Sequence, residues 1–214
     1  CHVPVILPVQ GTATYTVKVP STTVNSNNTV YVLSGYDCTI AVQGQEPFSA
    51  AVGGGHGAGV NSSVYPSSPG AGGSGGGATS YHEHGQPHEV GARGVPGQGH
   101  KGGDGTTVGT TYGGGGGGYS SPGNEQLGGA GFDLATALNL DANDGITGQF
   151  LTLVTDGGHI ASGGTTIGNA TPGGGGVGTG SHAKDYTGSG GGGDGVGNGG
   201  SGGAGAVYII TDPT

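Results

Sequence analysis

Apolar and polar positions alternate near the start of the chain and then give way to glycine. Over Thr12–Val19, Ala13, Tyr15, Val17 and Val19 fall on one face, the two-residue period of a half-buried strand, and Pro20 ends it. The Asn25-Ser26-Asn27-Asn28 cluster signals a turn. Thr29–Leu33 and Cys38–Val42 follow as further strands, separated at Ser34-Gly35 and spaced like a meander. Nothing up to residue 52 has helical spacing.

From Gly53 the side-chain pattern fades. Glycine tracts at 53–59, 70–77, 102–109, 113–118, 172–180 and 188–205 alternate with short segments that carry side chains. Phe132–Ile160 resembles ordinary protein. Within it Leu134-Ala135-Thr136-Ala137-Leu138 predicts a helical turn and Gln149–Val154 a strand. Ala206–Thr211, "AVYIIT", reads as a closing strand. The expected organisation is an extended arm at 1–10, a β-rich segment at 11–52, and a glycine-rich body at 53–214 closed by strand 206–211. The arm, "CHVPVILPVQ", alternates Val3, Val5, Leu7 and Val9 with prolines at 4 and 8, which suits an edge strand or a strand donated to a neighbour. Donated head to tail, it builds an open filament; folded back, it stays with its own domain.

Composition turns the tracts from linkers into scaffold. Glycine supplies 58 of 214 residues, and charged residues are 8%, unlike disordered chains, which are rich in charge. Eleven prolines and no Gly-X-Y register exclude collagen. Chains without Cβ can approach closely and bond backbone to backbone. Packed as three-residue-per-turn polyglycine II helices, the tracts would form a body whose core is main chain, provided that nearly every buried N–H and C=O is paired. The predicted fold class is therefore mainly β with polyglycine-II-like segments. The N-terminal strands form a sandwich-like unit with the C-terminal strand, and there is almost no helix.

The net charge of −9, with only four Lys plus Arg, argues against nucleic acid and anionic membranes as partners. No apolar run reaches the length of a membrane span. The chain has no methionine and starts at Cys1, which predicts a processed, extracellular form. Cys1 and Cys38 could close a disulfide worth about 3–4 kcal/mol. Alternatively, Cys1 pairs with another subunit or is acylated, or both thiols stay unpaired. Asn27, Asn61 and Asn169 stand in Asn-x-Ser/Thr sequons.

Chemistry is sparse. His82, His84 and His88, with Glu83 and Glu89, could hold a divalent metal, but Gly85 and Pro87 break any helix between them, and a solvated loop is the competing reading. "DANDG" at 141–145 lacks the spacing of a calcium loop and reads as a turn. The glycines at 113–118 lack the Gly-Lys-Ser/Thr of a phosphate loop. No carboxylate pair suggests acid–base work, so the expected protein is not an enzyme and needs no cofactor. Tyr65, Tyr81 and Tyr119 lie in or beside the inserts, where they could contact a receptor or cap the glycine segments.

The stretch "YTVKVPSTTVNSNNTVYVLSG" at 15–35, followed by glycine tracts and "GGSGGAGAVYII" at 199–210, resembles glycine-rich domains of phage tail-fibre adhesins and related bacterial surface proteins. The resemblance covers roughly 12–60 and 188–211, with the middle matching by composition. It implies a polyglycine II body whose variable loops bind a host receptor. The expected function is a repeating subunit of a surface filament assembled through the arm; the alternative is the receptor-binding tip of a tail fibre, and an ice-binding or matrix protein ranks third because no regular Thr array exists. The partners expected are further copies of the chain, glycans or a receptor, at the cell or virion surface.

Overall fold

In a computed structural model the described residues are 14–19, 34–61, 64–79, 90–106, 113–139, 159–166, 175–177, 183–184, 187, 189–193 and 199–203. Among them helix is confined to one turn and the sheets are small and antiparallel. Strands β1 (Tyr15–Lys18), β2 (Cys38–Val42) and β3 (Phe48–Ala51) form a sheet in the order β1-β2-β3. The β1–β2 register sets Tyr15 opposite Val42 and Val17 opposite Ile40. Tyr15 and Val17 are half-buried while Thr16 and Lys18 are exposed, the alternation that the sequence predicts.

The sheet departs from the expected meander in one respect. A meander would insert 29–33 between β1 and β2. Instead β2 pairs directly with β1 on one edge and β3 on the other. The β3 partnership follows from a tight connection: Gly44 takes φ +82° and Gln45 N–H donates to Val42 O, so the chain reverses at once. Cys38 and Ile40 are the buried side chains of β2. Residues 29–33, 149–154 and 206–211, all expected as strands, lie outside the described residues, as does the arm at 1–10.

Two smaller hairpins follow, β4 (Gly59–Asn61) with β5 (Val64–Ser67) and β6 (Phe132–Asp133) with β7 (His159–Ile160). Between β6 and β7 lies α1 (Leu134–Ala137), where the sequence predicts a helical turn. Asp133 caps it: Oδ1 accepts from Thr136 N–H at 2.9 Å and Oδ2 from Thr136 Oγ1 at 2.6 Å.

The body is organised by glycine tracts bonded to one another. Tract 113–118 shows the rule. Gly114 and Gly117 N–H donate to Ala78 and Gly75; Gly115 and Gly118 to Asn124 and Ser121; Gly116 and Tyr119 to Gly164 and Ala161. Each neighbour is met every third residue, and the acceptor steps three residues in the opposite direction. The same step of three recurs elsewhere, with Gly55 and Ala58 donating to Ser74 and Gly77, Gly75 and Ala78 to His100 and Gly103, and Ala161 and Gly164 to Thr187 and Gly190. The bonds run between tracts. Every residue from 113 to 118 is buried, so these pairings satisfy main chain that would otherwise be costly to bury.

Close approach is what requires glycine here. A Cβ at Gly163 would lie on the carbonyl oxygen of Gly116 and 2.7 Å from Gly129 N, the two ends of an existing hydrogen bond. The buried side chains between the tracts are accordingly small: Ala58, Ala78, Ala161, Ser74, Ser162 and Ser189 among them.

Candidate functional site

The bonds between tracts also fix which residues share an end of the body. Gly193 N–H donates to Gly114 O and Gly114 N–H to Ala78 O, while Gly103 reaches Gly115 and Thr165 reaches Gly176. Thr79, Gly91, Thr106, Gly113, Thr166, Val177, Gly193 and Gly199 therefore lie toward one end. They flank 80–89, 107–112 and 194–198 on both sides, and 167–174 on its Thr166 side alone, since Gly175 N–H bonds to Ser162 Oγ nearer the other end. The β4–β5 hairpin follows Ala58 at the same end.

At the other end are Tyr119, Ala161 and Thr187, joined by Tyr119 N–H to Ala161 O and Ala161 N–H to Thr187 O. Gly35 and Gly54 bond there too, and Gly203 lies against Gly35, which brings the last described tract beside the β1–β3 sheet. The molecule thus has a sheet end and an insert end. At the insert end Asn124 Oδ1 accepts from Gln126 and Leu127 N–H at 3.0 and 2.7 Å, a self-bonded turn that leaves Leu127 exposed. Val90 and Val177 are exposed at the same end.

Of the residues singled out in the sequence, His82, His84, His88, Tyr81, Cys1, Asn27, Asn169, Val3, Val5, Leu7 and Val9 lie outside the described residues. Asn61 closes β4, beside the turn of the hairpin, and Tyr65 is in β5. Cys38 is buried in β2, where burial pushes its thiol pKa up. Tyr119 is separated from Tyr65 by the length of the body. Its half-buried ring meets Phe132 edge to face, with centroids 5.0 Å apart. Among the described residues no cluster of three or more His, Cys, Asp or Glu converges as a metal site.

Two serines invite a catalytic reading and receive a structural one. Gly72-Gly73-Ser74-Gly75-Gly76 has Gly-x-Ser-x-Gly spacing, yet Ser74 is fully buried within a tract and its hydroxyl has no partner. An accessible nucleophile needs the exposed strand-to-helix turn that this segment lacks. Ser34 Oγ lies 3.0 Å from His56 Nδ1, and the ring bonds as well to the Ser68 backbone. Burial lowers the His56 pKa from its ordinary 6.5, opposed in part by the Ser68 backbone hydrogen bond. The pair ties the segment entering β2 to the glycine body.

A groove of about 720 Å³ opens near the sheet end. One wall is the Val95-Pro96-Gly97-Gln98 turn, with Gly97 at φ +78° and Gln98 N–H bonded to Val95 O. Arg93, His100 and Lys101 line it together with Tyr119 and Ser120. Lys101 Nζ contacts Asp104 Oδ1 at 2.7 Å, and Asp104 Oδ1 also accepts from Gly91 N–H at 2.8 Å. Burial alone would raise the Asp104 pKa, but the Lys101 and Gly91 hydrogen bonds bring it below the usual carboxylate value. Sequence reasoning passes over this groove. Its signal is in "ARGVPGQGHK": two of the four Lys and Arg residues fall within 93–101, around a Pro-Gly turn.

No helix among the described residues is long and apolar enough to cross a membrane. No family model, curated protein or solved structure matches the chain.

Proposed function

We propose that this protein is a non-enzymatic, extracellular structural module that displays variable inserts for receptor contact at one end of a polyglycine II body. The observation carrying this reading is the convergence of residues flanking 80–89, 107–112 and 194–198 on the end opposite the β1–β3 sheet. A body with main-chain bonds every third residue is stiff at its glycine segments, and stiff scaffolds are where binding loops are mounted. The three-residue step supports polyglycine II as the state of the tracts. The sandwich-like closure of strand 206–211 on the N-terminal strands belongs to the same proposal, as do the division into arm, β-rich segment and body, export, glycosylation at the three sequons, and the Cys1–Cys38 disulfide. On this reading the module belongs at the tip of a fibre, as the resemblance to tail-fibre adhesins implies.

A second reading rests on the sheet. Among the described residues, β1 and β3 are the outer strands of the three-stranded sheet, and strand addition takes place at sheet edges. An arm bearing Val3, Val5, Leu7 and Val9 would add to a neighbour's edge and make the protein a repeating filament subunit. Electron microscopy of native material separates the two. Single copies at fibre ends, or discrete particles, support the display module. Long fibres with one repeat per subunit and the insert end enclosed between subunits refute it. In that case deleting residues 1–10 leaves the domain folded and abolishes polymerisation.

A further inference from the structure

We propose that the groove beside the Pro96–Gly97 turn binds an acidic saccharide, a short sugar chain bearing carboxylates. This goes beyond the display reading, because the groove is near the sheet end, where Tyr119 lies, and uses none of the segments flanked at the opposite end. The chain is strongly acidic, with 13 Asp and Glu against four Lys and Arg. Half of its fixed cationic side chains nevertheless line this one groove, with the His100 imidazole between them in sequence. A local positive site on a negative molecule admits anions where the rest of the surface repels them.

The two cations differ. Lys101 is paired with Asp104, but both are about half-exposed, 42% and 51%, and exposed pairs of this kind are weak enough for an incoming anion to compete. Arg93 is exposed and has no ion-pair partner among the described residues. Its planar fork matches a carboxylate in two parallel hydrogen bonds, which a lysine cannot reproduce. Tyr119, beside His100 through the His100–Gly118 backbone bond, adds an aromatic lining of the kind that packs against a sugar ring, with a hydroxyl at its tip.

The walls are preorganised. Val95 N–H bonds to Gly72 O and Gly73 O, His100 N–H to Gly118 O, and Tyr119 N–H to Ala161 O. Gln98 Oε1 accepts from Val52 N–H at 2.9 Å, and Ser120 Oγ donates to Gly131 O at 2.7 Å, leaving the Ser120 oxygen able to accept. Binding therefore orders little new backbone. A volume of about 720 Å³ falls within the range of small-molecule sites and fits one or two sugar rings.

The test is titration of the full chain with digalacturonate, followed by calorimetry. Its uncharged disaccharide counterpart and sodium sulfate serve as comparisons. Digalacturonate is expected to bind at least tenfold more tightly than either, and less tightly as NaCl is raised. Arg93→Ala should weaken it at least tenfold with an unchanged urea midpoint, and Arg93→Lys should recover only part. Tyr119→Leu should weaken digalacturonate more than sulfate. Replacing 80–89 with glycine and serine should leave the affinity unchanged. Equal affinity for the uncharged sugar, or for sulfate, overturns the proposal. So does an Arg93→Ala protein that binds as well as the parent, or binding lost with the 80–89 replacement.

Discussion

Replacing Gly163 by alanine puts a methyl group onto an existing hydrogen bond. The added carbon would overlap Gly116 O and approach Gly129 N to 2.7 Å, and Gly129 N–H donates to Gly116 O at 2.9 Å. Gly163 N–H itself donates to Gly129 O at 2.8 Å, so one side chain threatens two main-chain bonds. Each buried group left unpaired costs about 1–3 kcal/mol. Against this, alanine restricts the unfolded chain by about 0.4–1 kcal/mol. The net expectation is a loss of about 1–5 kcal/mol. Gly190→Ala is the matched comparison. There the nearest atoms to the new carbon are Gly117 O at 3.3 Å and Gly75 O at 3.5 Å, close to ordinary contact. Its cost should stay within about 1 kcal/mol, since the entropic gain offsets a slight adjustment. Neither glycine has positive φ, so backbone strain does not separate the two. Urea unfolding followed by circular dichroism gives both midpoints and slopes. Equal midpoints for the two variants, or a Gly163→Ala protein as stable as the parent, would refute the claim that the core is packed main chain.

Two further outcomes follow from particular side chains. Burial depresses the His56 pKa below 6.5, so between that lowered value and about 6.5 the unfolded chain binds more protons than the native one. The corresponding stability is complete above 6.5 and falls as pH drops through the window; His56→Gln should flatten this part of a urea-midpoint profile taken from pH 5 to 8, and an unchanged slope would show that His56 contributes none of it. Asp104→Ala leaves the buried Gly91 N–H without its acceptor, costing about 1–2 kcal/mol. Asp104→Asn, which keeps an amide oxygen, should cost less than half as much by the same denaturation assay, and equal losses would assign the effect to the exposed Lys101 pair instead.

What was legible in the sequence follows from where side chains carry the pattern. Tyr15–Lys18 and Cys38–Val42 announce themselves by alternation and β-branched residues, and α1 by an apolar run after an Asp able to cap it. Strand β3, "FSAA", has no such alternation; it is a strand because β2 and the Gly44 turn present it with an edge. The scarcity of helix was legible in the glycine content, since glycine is a poor helix former, and the tracts themselves could be marked out. Their arrangement was not legible. Glycines look alike in sequence, and nothing local says that Gly116 seeks Gly164 while its neighbour Gly115 seeks Asn124. The cationic groove was missed for a related reason: Arg93, Lys101 and Tyr119 come together only through those unmarked pairings.

The same pairings bear on how freely the inserts can change. Around 107–112, Gly103 N–H bonds to Gly115 O and Gly114 N–H to Ala78 O, so both flanks are fixed within a few residues of the insert. Around 194–198, Gly193 N–H bonds to Gly114 O and Gly200 N–H to Gly192 O. At about 3.3 Å per residue for extended chain, a tract such as 113–118 spans at most roughly 20 Å, and a change at the insert end is separated from the sheet by the tracts between. An insert whose flanks are held in this way alters stability mainly through loop closure, and doubling its length costs only about 0.6 kcal/mol. Replacing 107–112 by twelve glycine and serine residues should therefore shift the urea midpoint by less than the equivalent of about 1 kcal/mol and leave the unfolding slope unchanged. A large destabilisation, or a lower slope, would mean that 107–112 is part of the folded core and that the inserts are not independent of the body that carries them.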